Sequence, residues 1–191
     1  MSVTTTSLTE ATRKQLAGHD LSKGLPPLPF PLVNEDEELT AEQQEANLLH
    51  VALWILERAG DSFNMAYYKA SKYKVEDVAR NRGLLKEITS LVELSSGRGS
   101  SSTLLSEDRQ FAYVNEYEVG RLPKEVHPCG TTFCIGGFAC EMNGGSLISE
   151  EYDELAPILA RELLGKEAGS NFYLNNEDAK EFLEEVIARN S

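Results

Sequence analysis

The 191-residue sequence predicts a mainly α fold: a single helical domain of about five helices that follows an extended N-terminal arm. Two segments carry this prediction. Residues 47–56 are apolar on almost every side of a helix, which is typical of a central core helix. Residues 179–187 carry apolar side chains at i, i+3, i+4, i+7 and i+8, the spacing of one helix face. Residues 110–122, rich in valine and aromatic residues, favour a minor β element.

The arm is predicted over residues 1–38 and the domain over residues 39–191. Within the arm, GLPPLPFPLVNEDEEL joins prolines, which favour an extended polyproline path, to a run of acids. Leucines and Phe30 alternate with these prolines, so we expect the arm to dock on the domain or on a partner. A disordered linker is the simpler alternative.

The first helix of the domain is predicted to begin at Thr40. Thr40-Ala-Glu-Gln43 matches a capping box, in which the two side chains satisfy orphan backbone donors. The helix is expected to end at Gly60. The aromatic segment SFNMAYYK then predicts a loop that Phe63 and Met65 hold against the core.

The middle of the chain predicts a second helix over residues 75–94 and a flexible insert near residues 95–103, SSGRGSSST. After it, Thr131 or Thr132 is predicted to cap a helix that runs to Met142, where Asn-Gly-Gly ends it.

Two more helices complete the prediction. Residues 150–164 form the first, which ends at Gly165, and Pro157 marks either a kink or its true first turn. Asn175 or Asn176 caps the last helix, the one with the clearest apolar periodicity.

The charge balance excludes several partners. Lysines and arginines number 18 against 31 aspartates and glutamates, a net charge of −13, and no basic patch interrupts this acidity. Because phosphate neutralisation supplies most nucleic-acid affinity, we expect no nucleic-acid partner. The N-terminal residues lack a signal peptide, and the longest apolar run is too short to span a bilayer, so a cytoplasmic protein without membrane contact is predicted. The acidity would favour binding to a basic surface on a partner protein.

All three cysteines lie in one stretch, CGTTFCIGGFAC, residues 129–140. A metal site would use His127, Cys129, Cys134 and Cys140. Structural zinc, however, usually takes ligand pairs two to four residues apart with a second pair elsewhere, and apolar residues surround these cysteines. We therefore predict no metal and no cofactor.

A thiol active site is the second interpretation of the stretch. Cys134 would lie near a helix N-terminus, which favours the thiolate, and His127 or His50 would act as the base with Cys129 assisting. The order loosely matches papain-type peptidases. However, the chain has no histidine after His127, which removes the usual order of the catalytic residues.

The third interpretation, a packing role, explains the most residues. Reduced cysteine is a small buried apolar residue, Gly136-Gly137 allow a close helix approach, and Gly130 suits a turn before a threonine cap. The predicted structural set is Phe63, Met65, Cys129, Gly130, Thr131, Cys134, Gly137 and Phe138.

Four motifs, in order, resemble a family of small uncharacterised phage and prophage proteins. They are FNM at 63–65, CGTTFCIGGFA at 129–139, LLG at 163–165 and NFYLNNEDAKEFL at 171–183, after an apolar helix that begins with NLL. Phe138 stands where tryptophan is common in that family, and the insert over residues 70–110 is long. The resemblance implies a phage setting and a helical domain, and it implies no reaction.

These observations favour a non-enzymatic protein that acts inside a bacterial host cell by binding a host or defence factor, or by self-association. The absence of a coherent catalytic set, the acidic surface and the proline-rich arm support this prediction. A thiol-dependent enzyme centred on Cys134 is one alternative. A virion-associated structural protein, suggested by the arm, is the other.

Overall fold

The computed structural model describes residues 7–33, 38–63, 65, 69–74, 103–105, 111–115, 130–144, 152–172 and 174–191. These residues contain five α-helices, and the predicted mainly α class is confirmed. The helices are α1 (Leu8–Ala17), α2 (Ala41–Trp54), α3 (Ile135–Met142), α4 (Tyr152–Ser170) and α5 (Asn176–Arg189). Four strands accompany them: β1 (Lys69–Lys74), β2 (Thr103–Leu105), β3 (Phe111–Asn115) and β4 (Gly130–Phe133).

The chain divides into two compact units. One unit comprises Met1–Tyr68 and Cys134–Ser191 and contains every described helix, whereas the other is Lys69–Phe133 and contains the strands. The predicted helical domain of residues 39–191 therefore includes a compact sheet unit within its boundaries.

The strands form one antiparallel sheet in the order β2-β3-β1-β4. In β1, Ala70 pairs with Asn115 of β3 on one side and with Thr132 of β4 on the other. The strand predicted over residues 110–122 is confirmed for Phe111–Asn115, and residues 116–122 lie outside the described part. The predicted helix over residues 75–94 lies outside it too, as does the flexible insert up to the start of β2.

Helix α2 is the central element of the helical unit. It begins as predicted, because the backbone N–H of Gln43 donates to the Thr40 hydroxyl (3.3 Å) and that of Thr40 donates to the Gln43 side chain (2.8 Å). Residues 47–55 are all buried, and α2 contacts each of the other four helices. A single π turn, Ile55–Ala59, extends the helix to Gly60, where φ is +49°.

Residues 8–17 depart from the extended path expected of the arm, because they form α1. Ser7 caps this helix by accepting a hydrogen bond from the backbone N–H of Glu10, and the helix packs against α2. Its buried face consists of Thr9, Thr12 and Leu16, at helical spacing. Because threonine fills two of these three buried positions, the apolar stripe is too sparse to stand out in the sequence, and this helix was not predicted.

The predicted threonine cap of α3 is wrong. Thr131 and Thr132 lie in β4, where they pair with Ser71 and Ala70 of β1, and Cys134 is the N-cap residue. Threonine suits both roles, and the pairing with β1 is a long-range interaction that a local pattern does not reveal. The helix ends at Met142, as predicted.

The last two helices follow the prediction closely. Helix α4 is interrupted at Gly165, where φ is +86° and ψ is 171°, and Pro157 lies inside it. Asn175 caps α5, because its side-chain oxygen accepts hydrogen bonds from the backbone N–H groups of Glu177 and Asp178, each at 2.9 Å. The buried face of α5 is Ala179, Phe182, Leu183 and Val186.

We predict that Gly165→Ala destabilises the helical unit by about 2 kcal/mol, since its backbone conformation is open to glycine and strained for other residues. A Cβ atom at this position would also lie 3.1 Å from Oε1 of Gln44. Urea denaturation followed by circular dichroism measures the change. Gly18→Ala is the matched control: φ is −82° there and the nearest atom is 3.7 Å away, so its stability should stay within about 0.5 kcal/mol. Equal losses in both variants would contradict the prediction.

Candidate functional site

The second half of the cysteine stretch is core of the helical unit. Cys134 and Cys140 are each only 1% exposed, and Gly137 and Phe138 between them are buried as well. The backbone N–H of Gly137 donates to Sγ of Cys134 (3.4 Å), and the Cys140 thiol lies 3.6 Å from the carbonyl oxygen of Ala156 in α4. Both sulfur atoms therefore have partners within the packed interior.

The electrostatics of these thiols oppose nucleophilic chemistry. Burial raises the pKa of Cys134 to about 11, although hydrogen bonds from the backbone N–H groups of Gly137 and Gly136 act in the other direction. Burial also raises the pKa of Cys140, and the neighbouring Cys134 and Glu141 add to the effect. The helix N-terminus on which the thiol interpretation depended is present, but desolvation outweighs it.

The other predicted site residues belong to other parts of the chain. Gly130 and Thr131 lie in β4, His50 is buried in α2, and His127 and Cys129 lie outside the described residues. Within the described part of the chain, no group of three or more histidine, cysteine and acidic side chains could hold a metal ion.

Phe63 and Met65 are buried, as predicted, and their segment is bonded to the start of the last motif. The backbone N–H of Met65 donates to Oδ1 of Asn176 at the start of α5, at 2.7 Å. The FNM segment and the Asn-Asn-Glu-Asp segment are thus joined by a hydrogen bond, although 111 residues separate them in the sequence.

A different feature of the helical unit offers a surface: residues 24–33, which we call the strap. Two asparagines hold its backbone. Oδ1 of Asn47 accepts from the backbone N–H of Phe30 (3.0 Å), and Nδ2 of Asn47 donates to the carbonyl oxygen of Phe30 (2.8 Å) and to that of Leu163 (3.1 Å).

Asn143, at the end of α3, repeats this arrangement two residues later. Its Oδ1 accepts from the backbone N–H of Leu32 (2.8 Å), and its Nδ2 donates to the carbonyl oxygen of Leu32 (3.2 Å). The backbone N–H of Leu28 donates to the carbonyl oxygen of Met142 (3.1 Å). Each asparagine amide thus pairs with a peptide group much as a neighbouring strand would.

The strap has a buried side and an exposed side. Leu28 and Leu32 are buried, whereas Phe30 is 39% exposed and Val33 is 71% exposed. Of the four large apolar side chains that are exposed in the described residues, these are two, and Leu8 and Ile158 are the others. The strap therefore presents apolar surface to solvent on a backbone that is fixed from behind.

The sequence predicted the docking of the arm but not the residues that hold it. Alternating leucines and prolines indicated an extended segment with one apolar side. The signal for Asn47 was available, because a lone amide opens the run NLLHVALWIL, which is apolar apart from His50, and has to find partners when buried. Asn143 was interpreted only as part of a helix stop.

We predict that Asn47→Ala destabilises the helical unit by about 3 kcal/mol. The substitution leaves the half-buried peptide group of Phe30 and the buried carbonyl of Leu163 without their partner. Asn171→Ala is the control, because that half-buried side chain makes one hydrogen bond, to Glu167 four residues earlier; its cost should stay below about 1 kcal/mol. Urea midpoints of the two variants test this, and similar midpoints would refute the role given to Asn47.

We also predict that iodoacetamide at pH 7.5 labels Cys134 of the native protein at least about 100-fold more slowly than a model thiol. A pKa of about 11 in place of 9 leaves roughly that much less thiolate, and burial slows the reaction further. Mass spectrometry with fragment ions assigns the label, and the urea-unfolded chain is the positive control. Rapid native labelling of Cys134 would restore the thiol-enzyme interpretation.

No helix in the described part of the chain is long and apolar enough to cross a membrane.

Comparisons with known proteins add no further assignment. No protein-family model matches the chain, and neither a curated protein nor a solved structure gives a significant match. The resemblance to small phage proteins stays a prediction, and the chain's own residues are the basis for a function.

Proposed function

We propose that this protein is a non-enzymatic interaction protein that acts in the cytoplasm of a bacterial host of a phage or prophage. It binds a host or defence protein through the exposed side of the strap. The observation that carries this proposal is the pair Phe30 and Val33, exposed on a segment whose other side is buried and whose backbone is held by Asn47 and Asn143.

The strap has the energetic properties of a binding surface. Burying an exposed Phe or Val side chain in a partner contributes about 1.5–3 kcal/mol for each. Because the backbone at Phe30 and Leu32 is already fixed by the asparagine amides, little conformational entropy is lost on binding. The prolines of the segment restrict it further.

The charge of the chain indicates which kind of surface the strap would meet. The strap is followed directly in sequence by Asn-Glu-Asp-Glu-Glu, residues 34–38, and the whole chain carries a net charge of −13. Such acidity attracts a basic surface and accelerates association with it. A basic surface on a host protein, including one that normally holds nucleic acid, is the complement we propose.

Thiol chemistry at Cys134 is the weaker alternative. The sulfur atom is buried, its pKa is raised, and among the described residues neither ring nitrogen of His50 makes a hydrogen bond that could activate it. The same features that oppose catalysis support a packing role for the cysteine motif.

We predict that Phe30→Ser/Val33→Ser lowers affinity for the host partner at least 10-fold, since two apolar side chains no longer become buried on binding. Tagged full-length protein is incubated with lysate of the bacterial host, retained proteins are quantified by mass spectrometry, and the leading one is purified for titration. Light scattering on the isolated chain measures self-association in parallel.

The matched control is Leu8→Ser/Ile158→Ser, which removes the other two exposed apolar side chains, 47% and 56% exposed. This control should bind as the unaltered chain does. The proposal fails if both double variants lose the partner equally, or if the unaltered chain retains no protein and stays monomeric.

A further inference from the structure

His50 is the one buried histidine among the described residues, and none of those residues forms a hydrogen bond with its ring. The residue is 0% exposed, and neither Nδ1 nor Nε2 has a partner in the described part of the chain. A buried imidazole usually has at least one partner, because an unsatisfied buried polar group costs free energy. Protonation of His50 would therefore destabilise the packed core, because the imidazolium would be buried without a partner.

The position of His50 on α2 connects it to the strap. Asn47, His50 and Trp54 are spaced by three and four residues, so they lie on one face of the helix. The strap is bound at both ends of this face. Phe30 pairs with Asn47, and the ring of His19, which bonds the carbonyl oxygen of Gly24 at 2.9 Å, lies edge-on to Trp54 with ring centres 6.2 Å apart.

The strap residues between these two ends, including Pro26 and Leu28, are buried. The strap therefore runs along the face of α2 that carries His50. Helix α2 also contacts all four other described helices. The strap is the non-helical segment bound to this face of α2, so it can leave without separating two helices.

We propose that protonation of His50 releases the strap from α2, while the helices stay packed. Release gives the imidazolium access to water and requires loss of the amide pairs at Asn47 and Asn143 together with the burial of two leucines. This device is a property of the fold and does not depend on the proposed function.

The sign of the pH dependence follows from burial. Desolvation lowers the pKa of His50 from 6.5 to about 4, and the nearby His19 adds to the effect. The closed strap binds the neutral ring, so the closed state is fully favoured above pH 6.5 and loses stability as the pH falls towards 4. If the ring titrates normally once the strap is released, the equilibrium constant for opening is roughly 30-fold larger at pH 5 than well above pH 6.5.

The other charged groups around α2 do not oppose this change. Arg13 of α1 is paired with Glu57 at 2.7 Å, and Arg189 of α5 is paired with Glu45 and Glu167 at 2.7 and 2.9 Å.

Arg161 and Glu162 of α4 are exposed, as are the acids of α5. In α3 and its cap, the titratable groups are the two buried thiols and the partly exposed Glu141. Among the described groups, His19 is the one whose charge acts on His50.

The single tryptophan, Trp54, reports on the strap because it is 4% exposed and contacts His19. We expect its emission to shift to the red, and acrylamide quenching to increase several-fold, with a midpoint between pH 6.5 and 4. Far-UV circular dichroism should stay constant over this range. The isolated full-length chain is used, so the result is independent of any partner.

Variants separate His50 from its neighbour. His50→Phe, or His50→Leu if the larger ring does not fold, should abolish the transition, whereas His19→Gln should keep it. The proposal is overturned if the His50 variant keeps the transition, or if the unaltered chain shows none down to pH 4. It is also overturned if helical dichroism is lost at the same midpoint, since that would be global unfolding.

Hydrogen exchange of the unaltered chain gives a test that needs no variant. After correction for the intrinsic exchange rate, protection of peptides covering residues 28–33 should fall roughly 30-fold between pH 7.5 and 5. Protection of α5 peptides should not change. An equal fall in both regions, or no fall in the strap, would contradict strap release.

Discussion

The burial of α2 on all sides is the constraint on which the rest of the helical unit depends. Residues 47–55 of this helix, which contacts four others, are all buried, so each of these side chains has to be apolar or has to find a polar partner within the protein. Residues 48, 49 and 51–55 meet the first condition. Asn47 meets the second by bonding Phe30 and Leu163, whereas His50 has no partner among the described residues, and on this basis we assign the two polar residues of one helix face opposite effects on the strap.

The same constraint explains how a proline-rich segment becomes ordered. Prolines cannot donate backbone hydrogen bonds, so the strap cannot join a sheet in full. Its peptide groups at Phe30 and Leu32 are instead satisfied by side-chain amides from two different helices. Fixing the backbone in this way buries Leu28 and Leu32 and leaves Phe30 and Val33 exposed to solvent. The same hydrogen bonds therefore determine both which side chains pack in the core and which apolar side chains are exposed.

Local signals in the sequence were sufficient for the elements whose cause is local. The capping box at Thr40, the apolar run of α2, the stop at Gly165 and the Asn175 cap of α5 each depend on residues within one or two turns. Where the cause is distant, prediction failed. The threonines of α1 are buried because α2 lies beside them, and Thr131 belongs to β4 because β1 pairs with it. The amide pairs of the strap join residues up to 111 positions apart.

The cysteine motif shows how burial decides between two chemistries that a sequence leaves open. Cys134 occupies a helix N-terminus, a position that lowers the pKa of a thiol when the thiolate is also accessible to water. In this fold the position is fully enclosed, so loss of hydration outweighs the backbone N–H groups and the sulfur acts as a small apolar N-cap. His50 follows the same rule with the opposite sign of charge: enclosure favours the neutral ring, and its neutral state is stable for as long as the strap covers it. Exposure to water, rather than residue type, therefore decides where this protein can respond chemically, and at His50 the proposed release of the strap is what would change that exposure.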